Sequence, residues 1–132
     1  MNVNRYSTSP QILAGITLVD PAEPEAGNMA LHVCENTKNN IENRRKLAVF
    51  LNCGTEAFVC SKQTHSANFY KVTTADRERG SVTMDDAIRE TDALYTFEPD
   101  IMLCCFTADC VPLILYDEKS GVVGTIHSGW EG

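Results

Sequence analysis

An α+β fold built on a mixed or antiparallel sheet is predicted for this chain of 132 residues from three observations. Apolar runs crowd the last third, at residues 101–106, 111–116 and 122–126, and Asp117-Glu118-Lys119-Ser120-Gly121 supplies turn chemistry between the last two. One long helical pattern stands upstream, with a capping residue before it and a glycine after it. Helices and strands otherwise mix without the regular alternation that builds a parallel βαβ sheet.

Taken in order, residues 11–19 read as a first strand, mostly apolar and β-branched at Ile12, Ile16, Thr17 and Val19. Residues 20–27 hold Pro21 and Pro24 and form a loop. Residues 29–33 read as a short extended segment entering a site. Asn36 or Thr37 caps a helix running to about Asn52, with Gly54 as its stop. Ile41, Leu47, Ala48 and Leu51 give this helix an apolar stripe, and Asn43, Arg44, Arg45 and Lys46 a polar face. Residues 57–60 read as a strand that delivers His65 just past its end, and residues 68–73 as another. Residues 74–80 are charged and loop-like. Residues 81–90 permit a short helix through Met84, Ala87 and Ile88, with Asp85 and Asp86 suited to its first turn. Residues 93–96 form a short strand before the Glu98-Pro99-Asp100 turn. The three closing runs are expected to be the buried heart of a sheet, covered on both faces. No helix follows Trp130-Glu131-Gly132, so a single domain over residues 1–132 is expected to stop in mid-fold with one sheet face thin. Such a face favours an oligomer, or a chain of low stability.

The hydrophobic fraction of 43% and charged fraction of 22% are those of a soluble globular protein. A net charge of -7 argues against general binding to nucleic acid or an anionic membrane. Residues 1–10 are polar and lack a signal-peptide core, and no apolar run is long enough to span a membrane. A cytoplasmic setting follows, and with it reduced cysteines rather than a disulfide framework. Cys60, Cys104 and Cys105 lie in apolar stretches and read as small core residues.

The chemistry concentrates in His65, Cys110 and His127, which close or open short polar segments at the ends of expected strands. Two imidazoles and a thiolate suit zinc, with a fourth position open to water or substrate. Copper suits them less, since the chain has three histidines in all. A metal-free Cys110–histidine pair acting as the nucleophile of a hydrolase is the competing chemistry. Asp109 reads as a turn residue or as an outer partner orienting a ligand, and Asp92 as a strand-edge acid. Trp130 reads as core rather than as a platform for a purine.

Four ordered segments carry a resemblance: Lys62-Gln63-Thr64-His65-Ser66, Thr91-Asp92-Ala93-Leu94, Thr107-Ala108-Asp109-Cys110-Val111-Pro112 and His127-Ser128-Gly129-Trp130-Glu131-Gly132. Gly27-Asn28-Met29-Ala30-Leu31-His32-Val33 and Glu42-Asn43-Arg44-Arg45 extend it upstream. Together they resemble the YfiH/laccase-domain family, once described as polyphenol oxidases and now viewed as purine nucleoside phosphorylases. The resemblance implies β-sheets packed with outer helices and a zinc site formed by His65, Cys110 and His127, which would also be the catalytic residues. It implies phosphorolysis of adenosine, inosine or guanosine, with adenosine deamination and methylthioadenosine phosphorolysis as companion activities. Family members are longer and usually carry arginine where Glu131 stands. Phosphorolysis requires a group for phosphate or ribose, and the Arg44 guanidinium is the best candidate. Asn43, His32 and Asp109 complete the substrate-binding candidates. The partners implied are a purine nucleoside and phosphate. An inactive metal-binding fragment that needs another chain to complete its fold is the alternative of a different class.

Overall fold

The computed structural model describes residues 1–6 and 9–130; Glu131 and Gly132, which end the fourth family segment, lie outside the described residues. The chain divides into two compact units, Met1–Gly54 and Thr55–Gly132.

In the first unit, β1 (Val3–Arg5) pairs antiparallel with β2 (Gly15–Thr17), and α1 (Thr37–Phe50) supplies the helix. The strand expected over residues 11–19 shrinks to β2, because a ladder reaches only as far as its partner. Residues 29–33 turn rather than extend. Asn28 fixes that turn: its Oδ1 accepts from the Ala30 amide at 3.0 Å, and its Nδ2 donates to the Val33 carbonyl at 2.6 Å.

Helix α1 begins as expected. The Asn36 side chain caps it by accepting from the Lys38 amide at 3.0 Å. Its buried stripe is not the expected apolar one, however: Asn40, Asn43, Arg44 and Ala48 are buried, while Ile41, Leu47 and Leu51 are half-buried. Asn43 and Arg44 therefore leave the solvated polar face that the sequence assigned to them. The cause is the 24–30 loop, whose carbonyls have no strand to pair with. Asn40 Nδ2 donates to Ala30, Asn43 Nδ2 to Pro24 and Asn28, and Arg44 Nε to Met29, at 2.8 to 3.0 Å.

In the second unit, β3 (Phe58–Val59) pairs in parallel with β6 (Met102–Leu103). The main sheet is mixed, with strand order β4 (Phe69–Lys71), β5 (Ala93–Thr96), β8 (Val123–Ser128), β7 (Val111–Tyr116). β4 and β5 are parallel, and β8 runs antiparallel to both β5 and β7. The run at 101–106 thus contributes only β6, and to a separate ladder rather than to the main sheet. Residues 81–90 form no helix, because their backbone serves the neighbouring chain instead: Ile88 donates to the Cys60 carbonyl at 3.2 Å and accepts from the Lys62 amide at 2.7 Å. Gly80 enables that close approach, since a Cβ there would lie 2.8 Å from Cys60 Cβ, on a backbone at φ +71°.

The core gathers Val59, Val72, Ile88 and Leu94, with Tyr70, Ile101 and Leu103 packed against it. The buried heart expected of the last strands is only partly present. β8 is largely covered, but on β7 Val111, Leu113 and Leu115 are 56%, 43% and 53% exposed. β7 is the last strand of its sheet, and four of its six residues, Val111, Leu113, Ile114 and Leu115, are exposed. Trp130, expected in the core, is 93% exposed.

A buried acid fastens the chain after β4. Asp76 accepts from the Thr73 amide at 2.9 Å, the Tyr70 hydroxyl at 2.9 Å and Arg79 Nη1 at 3.0 Å. Burial opposes its charge, but these hydrogen bonds outweigh burial and hold its pKa below the usual carboxylate value. Because the folded value is the lower one, the stabilisation is present above the unfolded pKa near 4 and is lost as pH falls through the folded value. Asp76→Asn is expected to cost about 1.5–3 kcal/mol at pH 7, the range for a hydrogen bond to a charged group. The gap to wild type should narrow by pH 3; a urea midpoint gap that stays constant between the two pH values would contradict this.

Candidate metal centre

His65, Cys110 and His127 come from three separate segments of the second unit and converge, their donor atoms all lying within 4.8 Å of one another. Cys110 Sγ lies 3.9 Å from His65 Nε2, and the two imidazole centroids are 5.0 Å apart. A tetrahedral zinc with Zn–S near 2.3 Å and Zn–N near 2.0–2.1 Å sets S and N donors about 3.6 Å apart, so the observed gap is a few tenths wider. The third donor, His127, lies within 4.8 Å of the other two, a grouping that a shared metal uses in full and a Cys110–histidine pair uses only in part.

Local structure explains the convergence. His127 sits on β8 opposite Pro112, so the ladder places it beside the strand that follows Cys110. The segment leading to Cys110 is anchored by Gln63, whose Nε2 donates to the Phe106 carbonyl at 2.7 Å while its Oε1 accepts from the Phe106 amide at 2.8 Å. Gln63 is two residues from His65, so the same clamp joins two ligand-bearing segments. His65 itself adopts the left-handed backbone, at φ +58°.

Asp92 bonds the His127 imidazole and the backbone turn that carries His65. Its Oδ1 accepts from the Thr64 and Ser66 amides at 3.1 and 2.8 Å and from the Ser66 hydroxyl at 2.8 Å. Its Oδ2 accepts from the His65 amide at 3.1 Å and from His127 Nδ1 at 2.7 Å. Its backbone carbonyl accepts from the His127 amide at 2.7 Å. Burial raises its pKa, but the hydrogen bonds from His127, Ser66 and Thr64 prevail and bring it down to about 2.

Gly129 leaves room for the ligands. A Cβ there would meet His65 Cδ2 at 2.7 Å, His65 Nε2 at 3.5 Å and Cys110 Sγ at 3.8 Å. Cys105, five residues before Cys110, is the poorer ligand: burial first, then the charges of Asp92 and Cys110, push its thiol up to about 11. The donor chemistry, the cradle at Gly129 and the carboxylate behind His127 all fit a metal ion.

Of the other candidates, Asp109 is exposed in the bend before Cys110. The carboxylate bonded to one of the three converging side chains is Asp92, which the sequence offers only as a strand-edge acid. The pointer to it was its place in the Thr91-Asp92-Ala93-Leu94 segment. Gln63 and Gly129 were likewise quoted within family segments without a role. Arg44, Asn43 and His32 belong to the first unit; Arg44 and Asn43 are buried there on the 24–30 loop, and His32 is exposed in a turn.

Residues 19–132 match the family model described as multi-copper polyphenol oxidoreductase laccase. The chain belongs to this YfiH/laccase-domain family. Within it, the chain is 40% identical over 105 residues to purine nucleoside phosphorylase YlmD of Geobacillus stearothermophilus, covering 80% of this chain and 38% of that protein. It is 35% identical over 126 residues to purine nucleoside phosphorylase YlmD of Bacillus subtilis, covering 92% and 45%. Among solved structures, the hypothetical protein YfiH of Bacillus licheniformis superposes with a TM-score of 0.80 at 38% identity, over 85% of this chain and 42% of that one. This laccase-domain chain therefore spans about two fifths of the length of the relatives it matches. The α+β expectation agrees with these neighbours.

Proposed function

We propose that this chain carries the zinc centre of a purine nucleoside phosphorylase acting on adenosine, inosine and guanosine. The convergence of His65, Cys110 and His127 carries the reading, and kinship with relatives named purine nucleoside phosphorylase supports it. In this reading the three side chains hold zinc and are the catalytic residues. When bound, zinc supplies a Lewis acid that can polarise a substrate atom and acidify water. The protein's own contribution is to present a thiolate and two oriented imidazoles in a preformed cradle. Adenosine deamination and methylthioadenosine phosphorolysis are proposed as companion activities. The setting is the cytoplasm, where all six cysteines, none of them in a disulfide, stay reduced.

The test is release of hypoxanthine from inosine by the zinc-loaded chain, with and without inorganic phosphate. Release should need both phosphate and metal. A folded, zinc-bound chain that releases no base from inosine, adenosine or guanosine would overturn the activity. Arg44, with Asn43, His32 and Asp109, is proposed for the substrate side. Arg44→Ala is expected to raise the phosphate concentration needed for half-maximal release while zinc stays bound; an unchanged phosphate dependence would return Arg44 to a structural role on the 24–30 loop.

The exposed apolar residues of β7 favour a second reading, a metal-binding chain whose fold is completed by another chain. Self-association in sedimentation without base release would support it, and a stable, active monomer would contradict it.

A further inference from the structure

We propose that Asp92 is the positioning residue for both imidazoles of the metal centre, one carboxylate setting the tautomer of His127 and holding the turn that carries His65. The inference rests on the metal-centre reading above.

Five hydrogen-bond donors converge on this carboxylate: the amides of Thr64, His65 and Ser66, the Ser66 hydroxyl and His127 Nδ1. Both oxygens are surrounded by donors, three at Oδ1 and two at Oδ2, so a carboxyl proton on either would face a donor, and the ionised form is the one that accepts on both sides. With Nδ1–H donated to Asp92, a neutral His127 carries its lone pair on Nε2, the nitrogen left to face a ligand. The same carboxylate collects three successive amides of the turn in which His65 stands at φ +58°. Bonds of that kind offset the cost of a left-handed backbone for a residue with a Cβ. The two histidines are 62 positions apart in sequence, and Asp92 couples them through one buried group.

Asparagine at this position has nearly the same shape but cannot satisfy both sides. If its carbonyl oxygen faces His127 and His65, its NH₂ group meets the Thr64 and Ser66 amides, donor against donor. If it turns over, the amides of Thr64 and Ser66 are satisfied, but NH₂ points at His127 Nδ1 and drives the imidazole proton to Nε2, where a metal would bind. Either way one histidine is lost from position.

The experiment measures zinc affinity of the full chain by competition with a chromophoric chelator, for wild type and Asp92→Asn, beside the imidazole ¹⁵N shifts of His127 in metal-free wild type. Zinc affinity should fall about 10–100-fold in the variant, the range for losing an outer partner of a ligand. His127 in the wild type should be protonated on Nδ1. A residue needed only for stability would lower the melting temperature without setting that tautomer. A folded Asp92→Asn chain of wild-type zinc affinity, or a metal-free wild type protonated on Nε2, would overturn the inference. If the variant does not fold, the wild-type tautomer decides. A wild type that binds no zinc overturns the metal-centre reading instead, and the tautomer still reports on Asp92.

Discussion

Cys110→Ser is expected to lose zinc binding by more than about 100-fold, beyond what is typical for loss of an outer partner. The substitution replaces a soft thiolate with a hydroxyl that stays protonated and neutral near pH 7, and zinc prefers the former strongly. Two imidazoles remain, and two neutral donors make a weak site. The fold should tolerate the change, because Cys110 is half-buried in a bend ahead of β7 and outside the core cluster. Cobalt is a convenient reporter: substitution into wild type should give a thiolate-to-metal charge-transfer band that is absent from Cys110→Ser. The phosphorolysis proposed above should vanish with the metal. A serine variant that retains wild-type zinc affinity would remove Cys110 from the ligand set, and zinc-free variant protein that still releases hypoxanthine would favour a metal-independent mechanism.

Gly129→Ala is expected to disable the centre without touching a ligand. The new methyl group would sit 2.7 Å from His65 Cδ2, closer than carbon atoms approach in folded proteins. The His65 amide is held by the Asp92 carboxylate, so the imidazole yields by turning about its own side-chain bonds. That turn takes Nε2 from its present place beside Cys110 Sγ, and ligand sites tolerate only about 0.5 Å of misplacement. We expect zinc affinity to fall about 10–100-fold, comparable to losing a ligand's outer support. Titration of the folded variant with cobalt, followed by absorbance, is the measurement. Affinity equal to wild type would show that the space beside Gly129 is not needed by the metal-bound arrangement.

The parts of the fold that local chemistry determines were legible. Asn36 capped α1 as its side chain dictates, and β5 appeared at residues 93–96 as read. Parts decided by distant partners were not. The apolar run at 101–106 became a two-residue strand because its partner is the equally short β3. Asn43 and Arg44 looked like a wet helix face, since no pattern announces that a loop 15–19 positions away will present unpaired carbonyls to them. The same distinction applies to the metal centre. His65, Cys110 and His127 stand out in the sequence as two imidazoles and a thiol placed in three of the four ordered family segments. Asp92 was not assigned its part, because its pairing with His127 spans 35 positions and creates no spacing signal. The acid beside Cys110 in sequence, Asp109, attracted the outer role that the fold gives to Asp92.

That one metal ion sits among His65, Cys110 and His127 is tested most directly by anomalous diffraction at the zinc edge from crystals of the zinc-loaded chain. The structure leads us to expect a single strong peak at about 2.0–2.1 Å from one nitrogen of each histidine and about 2.3 Å from Cys110 Sγ. A peak bound elsewhere, or no peak between these three side chains in a chain folded as described, would contradict it.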